Sequence, residues 1–292
     1  MTTQTAVFRC VHCHASHSGS GRCDACGHDY ESVAGVPLLV RDKAPIEAQI
    51  EVARAEGKAS WYEIEQPEEF TGPYRHHLRK RRAYLDRVLG RFRQTRAGQT
   101  VTALDLGCGD GAHMRWLSQY TDRLFGSDYN LVRLERAALR RHGGTVFMAD
   151  VTDYPVADNS FDLIFFNHVL EHIPQDAKAL AEVRRILKPG GLLVLGVPNE
   201  GAAFWQLAYK LEPNVRQLTD HVNFYTDRTL SQKCAAAGLR VDHVEHLGWG
   251  VPHWNLDFIV RRWKIVDDTL EAIGRRIIPR QATSLYLLCS KA

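Results

Sequence analysis

No apolar run in this chain approaches the roughly 20 residues that a membrane-spanning helix needs. Residues Met1 to Phe8 hold no apolar leader core, so the chain reads as cytoplasmic. An excess of one charge is also lacking: 37 Lys and Arg face 34 Asp and Glu, a net charge of +3. Composition alone therefore draws the chain neither to nucleic acid nor to a membrane surface. Repeats and low-complexity tracts are missing, which excludes solenoids and tails. The seven cysteines do not form a disulfide framework, because four sit in two close pairs and Cys108, Cys234 and Cys289 stand singly. What is present is 292 residues at 45% hydrophobic content, enough for one large α/β core and a small appendage.

Three regions separate by composition. The first, to about Val40, is rich in Cys, His and Gly. The second, to about Thr100, switches from an acidic stretch, Ile46 to Phe70 with seven glutamates, to a basic one, Tyr74 to Arg96. Within the basic part Leu85, Val88, Leu89 and Phe92 recur at helical spacing, which predicts an amphipathic helix carrying arginines on its outer faces. From Val101 onward short apolar strands alternate with glycine turns and helices: Val101–Leu106 then Ala112–Tyr120, Leu124–Ser127 then Leu131–Arg141, and Thr145–Met148. Phe161–Phe166, the helix Asp176–Leu187, the turn Lys188 to Gly191 and the strand Leu192–Val197 continue the pattern. This alternation predicts a parallel sheet covered on both faces. A helix over Thr226–Ala237 precedes strands Arg240–His246 and Ser284–Cys289, expected to pair as an antiparallel hairpin at the sheet edge.

Cys10, Cys13, Cys23 and Cys26 form two C-x2-C pairs nine residues apart. Thiolates at this spacing close a tetrahedral structural Zn²⁺ site, with His12, His14, His17 and His28 as candidate substitutes. So short a stretch can scarcely build its own core, and bound metal would supply folding energy.

The run Asp105-Leu106-Gly107-Cys108-Gly109-Asp110-Gly111 ends an apolar strand and opens a helix. Glycines there allow a tight turn and close approach to a ligand. The letters also satisfy a loose dinucleotide pattern, since Ala112 follows. Polar residues at the strand ends argue for another ligand. Asp105 suits a ligand ammonium and repels a pyrophosphate, Asp128 suits the two hydroxyls of a ribose, and Asp150 can accept from an adenine amino group. All three lie on the rim where open α/β sheets bind ligands.

Five pieces in order, V-T-A-L-D-L-G-C-G-D-G, the Asp128 and Asp150 positions, F-D-L-I-F-F-N-H-V-L-E-H-I, R-I-L-K-P-G-G-L-L-V-L and H-V-N-F-Y-T, make the stretch from Val101 to Ala292 resemble the class I S-adenosylmethionine (SAM) dependent methyltransferases. The branch resembled includes quinone-biosynthesis, natural-product and cell-surface-glycan enzymes. The resemblance implies a Rossmann-like α/β fold with a seven-stranded, mostly parallel sheet whose last strand is reversed. It sets Gly107 and Gly109, with Cys108, against the methionine part, Asp128 and Tyr129 at the ribose, Asp150 with Val151 at the adenine, Asn167 or His168 beside the sulfonium, and Arg81 at the SAM carboxylate. The first 40 residues resemble the short zinc-ribbon proteins that activate tRNA and protein methyltransferases. The expected division is residues 1–40 as zinc ribbon, 41–100 as helical linker and N-terminal helix, and 101–292 as the SAM-binding domain, with insertions at 198–225 and 248–283.

Methyl transfer from a sulfonium gains most from positioning in a dry pocket, but a protonated acceptor needs a base. His168, His172 and His221 fall where the family places its pocket and are the candidates. The insertions, loops over the sheet rim with Phe204, Trp205, Tyr209, Trp249, Trp254 and Trp263, should shape the acceptor pocket. The leading expectation is an O- or N-methyltransferase acting on a small intermediate: a natural product, a quinone-like ring or a saccharide. RNA is the rival acceptor, because nine Lys and Arg lie between Arg75 and Arg96 against one acid, Asp86. A third expectation is a non-catalytic module that binds zinc and SAM.

Overall fold

In the computed structural model, residues 8–17, 21–42, 48, 51–52, 55, 64–66, 70–140, 143–217 and 220–292 are described. Most of the acidic stretch from Ile46 to Phe70 lies outside them. Six two-residue strands make three small antiparallel pairs near the N-terminus: β1 (Phe8–Arg9) with β2 (Ser16–His17), β3 (Gly21–Arg22) with β4 (Asp29–Tyr30), and β5 (Ser32–Val33) with β6 (Val36–Pro37). Helix α1 (Arg75–Thr95) follows, burying Tyr84, Leu85 and Leu89 as its spacing requires.

The main sheet contains β7 (Thr102–Leu106), β8 (Arg123–Asp128), β9 (Thr145–Met148), β10 (Phe161–Asn167), β11 (Leu187–Pro198), β12 (Leu239–Leu247) and β13 (Ser284–Lys291). Its order is β12-β13-β11-β10-β7-β8-β9. Strands β8 to β11 and β7 pair in parallel, whereas β13 runs antiparallel to both β11 and β12. The reversed last strand is as expected. The hairpin lies at the sheet edge as expected, with β12 outermost and β13 between it and β11. The apolar sequence of β13, buried from Ser284 to Leu287, suits an interior position.

Helices α2 (Met114–Leu117), α3 (Leu131–Arg140), α4 (Asp176–Ile186) and α7 (Asp227–Ala236) connect the strands. The helix predicted over Ala112–Tyr120 shrinks to the four residues of α2, because Gly111 takes φ +77° and delays its start. The insertions are not loops: α5 (Ala203–Leu211) and α6 (Pro213–Gln217) occupy the first, α8 (Trp254–Val260) and α9 (Lys264–Ile277) the second. Among the described residues no helix is long and apolar enough to cross a membrane.

The N-terminal pairs share the main core. Phe8 meets Phe147 and Phe125 edge to face, at centroid distances of 5.0 and 5.9 Å. Leu38 bridges Met148 in parallel and Leu39 N donates to Met148 O at 2.9 Å, so this segment covers the free edge of β9.

Candidate active site

The carboxyl ends of β7 and β8 build one half of the site. Gly107 N and Cys108 N both donate to Ser127 O, at 2.8 and 2.9 Å, tying the glycine turn to the neighbouring strand. Gly107 has φ +77°, and a Cβ there would lie 2.2 Å from Val169 Cγ2. Only glycine fits this close approach. Asp105 is 2% exposed and its Oδ2 finds no hydrogen-bond partner among the described residues. Burial, with Asp128 adding repulsion, pushes its carboxyl up to about 8. Asp128 ends β8 and accepts from Gly109 N and Asn130 N, each at 2.8 Å. Tyr129 follows it, partly buried. Asp150 lies two residues past β9, with Oδ1 accepting from Thr152 N and Oγ1 at 2.8 Å, and Val151 packs against the core beside it. Gln66 sits over the glycine turn: its N donates to Asp110 Oδ2 at 2.7 Å, and a Cβ on Gly109 would meet its Oε1 at 2.7 Å.

The end of β10 builds the other half. Asn167 Oδ1 accepts from Tyr286 Oη at 2.7 Å. His168, a non-glycine residue at φ +55°, is turned so that Arg81 Nη2 reaches its Nε2 at 2.5 Å. Arg81 also donates to Tyr286 Oη at 2.5 Å. A guanidinium only donates, so His168 Nε2 accepts and its ring proton sits on Nδ1, facing Glu171 Oε1 at 3.3 Å. Burial, then the Arg81 charge, lowers the pKa of His168. Glu171, 1% exposed, and His172 lie on a short 3-10 helix, Leu170–His172.

His172 Nδ1 lies 2.9 Å from Asp220 Oδ1, and His221 Nδ1 lies 2.8 Å from Glu200 Oε2. The two imidazoles meet edge to face at 4.7 Å. Burial opposes charge on His172, but the Asp220 hydrogen bond and Glu171 carry its pKa upward. Tyr209 Oη donates to Glu200 Oε1 at 2.5 Å, and Val222 N and Asn223 N bind Glu171 O at 2.9 and 3.1 Å, which fixes the His221 segment against the 3-10 helix.

The structure thus gathers Asp105, Gly107, Cys108, Gly109 and Asp128 at one rim and Arg81, Asn167, His168, His172 and His221 beside it. Val169, lying on Gly107, joins the halves. Sequence reasoning missed Glu171, Glu200, Asp220 and Tyr286. A signal existed for two of them, since an acid directly precedes a histidine in Glu171-His172 and in Asp220-His221.

Near the N-terminus Cys10, Cys13, Cys23 and Cys26 bring their sulfurs within 4.8 Å of one another. Cys10 to Cys26 and Cys13 to Cys23 are each 3.7 Å, far beyond a disulfide bond. Of the nine cations between Arg75 and Arg96, six are engaged within the fold. Lys80 meets Asp267 and Glu271, Arg93 meets Asp122, Arg82 stacks on Trp116, Arg75 and Arg96 hold carbonyls, and Arg81 is described above.

Residues 104–195 match the family described as methyltransferase domain. The demethylmenaquinone methyltransferase of Thermobifida fusca is 30% identical over 172 residues, spanning 53% of this chain and 72% of that protein. The ubiquinone/menaquinone biosynthesis C-methyltransferase of Desulfotalea psychrophila is 36% identical over 100 residues, 34% of this chain and 40% of that one. The chain spans 30%, 39% and 40% of the length of three further or overlapping curated relatives that it matches. Among solved structures, a chain in the complex between the Haloferax volcanii Trm112 methyltransferase activator and a methyltransferase superposes with TM-score 0.53 at 17% identity, covering 84% of this chain and 97% of that one. That likeness concerns the fold. The sheet order, the glycine rim and the Thermobifida relative together establish that this chain belongs to the SAM-dependent methyltransferase family.

Proposed function

We propose that this chain transfers a methyl group from SAM to an oxygen or nitrogen of a small biosynthetic intermediate, with a quinone-like ring, a natural product or a saccharide as the acceptor class. The observation that carries the reading is the buried Asp105 Oδ2, without a hydrogen-bond partner among the described residues, two residues before a turn where Gly107 leaves no room for a side chain. A carboxylate so placed suits a ligand ammonium. Asp128 would hold the ribose, Asp150 with Val151 the adenine, Asn167 the neighbourhood of the sulfonium, and Arg81 the ligand carboxylate, with Gly107, Cys108, Gly109 and Tyr129 lining the cradle. When bound, SAM supplies an electrophilic methyl group. The chain's own part is to exclude water, orient the acceptor and receive its proton at the cluster of His168, His172 and His221.

The quinone-type relatives support a ring acceptor. The engagement of most of the basic helix within the fold favours a small acceptor over RNA. Residues 1–40 are proposed as a structural zinc ribbon fused to the catalytic unit. Four thiolates at about 2.3 Å from a tetrahedral ion stand about 3.8 Å apart, and the observed 3.7 Å separations match. The Trm112 neighbour supports a ribbon of the activating kind, here carried in the same chain. With every described cysteine free, the proposed location is the reducing cytoplasm. The test is release of S-adenosylhomocysteine by nuclease-treated protein: turnover with a metabolite or quinol extract is expected, and turnover with total RNA alone would overturn the acceptor class.

A further inference from the structure

Three lone-pair donors converge where the mechanism so far needs only one base. One ring nitrogen each of His172 and His221 and a carboxylate oxygen of Glu171 all lie within 4.8 Å of one another. Donors at about 2.1 Å from a single ion stand roughly 3 to 4 Å apart, so small side-chain adjustments would bring all three onto one cation. We infer that Glu171, His172 and His221 form a binding site for a divalent first-row transition-metal ion, distinct from the cysteine site.

Two further observations point to a ligand there. Glu171 is 1% exposed, and neither carboxylate oxygen makes a well-formed hydrogen bond among the described residues. Its nearest nitrogen neighbours are His168 Nδ1 at 3.3 Å, on a ring held neutral by burial and Arg81, and His172 Nε2 at 4.0 Å. A carboxylate taken out of water without full compensation is costly, and a bound cation removes that cost. The other observation concerns orientation. His221 turns Nδ1 to Glu200 at 2.8 Å, which places its ring proton on Nδ1 and leaves the Nε2 lone pair free, and His172 Nδ1 lies 2.9 Å from Asp220 Oδ1. A histidine whose far nitrogen donates to a carboxylate is the arrangement that orients metal-binding imidazoles and raises their basicity.

Two imidazoles and one carboxylate select ions such as Zn²⁺, Mn²⁺, Fe²⁺ or Co²⁺ over Mg²⁺ and Ca²⁺, which prefer oxygen donors. Three protein ligands leave coordination positions for an acceptor oxygen. The inference rests on the methyltransferase reading for its role, and narrows the acceptor to a hydroxyl. With an ion there, His172 and His221 would serve as its ligands in place of the base: a hydroxyl oxygen on the ion would lose its proton to solvent, its lone pair would form the O–CH3 bond, and the S–CH3 bond would break to leave a neutral thioether.

The experiment uses the untagged full-length chain with its cysteine site already loaded with zinc, titrated with Co²⁺ and with Mn²⁺ and followed by calorimetry and by visible absorption of the cobalt form. One additional ion per chain is expected, with d–d bands lacking thiolate charge transfer. Glu171→Gln and His221→Gln should each weaken uptake at least tenfold, and Asp220→Asn should weaken it tenfold to a hundredfold while keeping all three ligands. Unchanged SAM affinity in each variant shows that it is folded. No additional ion on the zinc-loaded wild-type chain, or equal uptake by both ligand variants, overturns the site. Because the readout is binding, an ion bound without methyl transfer would defeat the proposed activity and leave the site standing.

Discussion

SAM binding should expel a proton from Asp105, and the effect can be sized from its surroundings. The carboxyl is pushed up to about 8, first by burial and then by Asp128. At pH 6.5 it is therefore protonated in nearly all ligand-free molecules, while the pairing proposed with the ligand ammonium requires the carboxylate. Ionising it costs about 1.4 kcal/mol for each pH unit below 8, a tenfold loss of affinity per unit. From pH 6 to pH 8 the Kd should fall roughly 20-fold, the product of Asp105 ionisation and the protonated share of the ligand amine. It should flatten there and rise again at higher pH, because the ligand α-amino group itself titrates near 7.7–8.0. The sign for stability is opposite. A carboxyl raised above its ordinary value favours the folded ligand-free chain at low pH, and that contribution is lost as pH climbs from about 4 to about 8. Calorimetry in two buffers of different ionisation enthalpy reads the proton directly: about 0.9 released at pH 6.5, close to none near pH 8. Asp105→Asn should bind weakly and with little pH dependence over that range. A Kd that is flat from pH 6 to 8, with no buffer-dependent heat, would refute the placement of Asp105 on the ligand.

Asp128→Ala removes the acceptor of Gly109 N and Asn130 N as well as the proposed ribose contact, so SAM affinity should drop by roughly two orders of magnitude while the far-ultraviolet dichroism stays unchanged. An affinity within threefold of wild type would mean the ribose lies elsewhere. Gly107→Ala should cost about 2–5 kcal/mol in denaturant unfolding, from the left-handed backbone and the overlap with Val169. Adding Val169→Ala relieves only the overlap, so the pair should be less than additive by more than about 1 kcal/mol, and strict additivity would contradict the contact. Chelating the ion proposed on Cys10, Cys13, Cys23 and Cys26 should free Phe8 from Phe125 and Phe147, a loss of about 3–5 kcal/mol and roughly 10 °C in Tm. An unchanged Tm after verified metal removal would show that the N-terminal pairs hold without it.

The half of the candidate site built on β7, β8 and β9 was legible in its backbone placement because its signals are local. Strand patterning locates the ends of β7, β8 and β9, and the residue at each end inherits its position from the strand. Glycine at 107 announces a backbone that side chains cannot adopt. The acceptor half depends on contacts between distant segments: His172 is paired to Asp220, His221 to Glu200, and Arg81 to His168 and Tyr286. Nothing in the periodicity of either partner reveals such a pair. The histidines were found individually, and the carboxylates that orient them were not. The insertions were misread for a related reason. Helix α8 presents Trp254, Leu256, Phe258 and Ile259 outward while Asp257 is buried against Arg261, an inversion of the usual pattern that conceals a helix from a search for an apolar inner face.

The N-terminal pairs and the rim at Asp150 and Val151 are mechanically continuous. Leu39 N binds Met148 O at the last residue of β9, and Arg41 pairs with Asp153, so the segment grips the strand on both sides of Asp150 and Val151. Strand β9 has only four residues and one strand neighbour, β8. An edge strand so short has little to hold its end in register. The bridge from Leu38 to Met148 supplies a second partner, and Phe8 fills the core beneath through Phe125 and Phe147. The segment around Leu38 and Leu39, with Phe8 packed in the core beneath it, therefore completes the sheet edge from which Asp150 and Val151 project, and ties the order of that rim to the strand pairs that precede it.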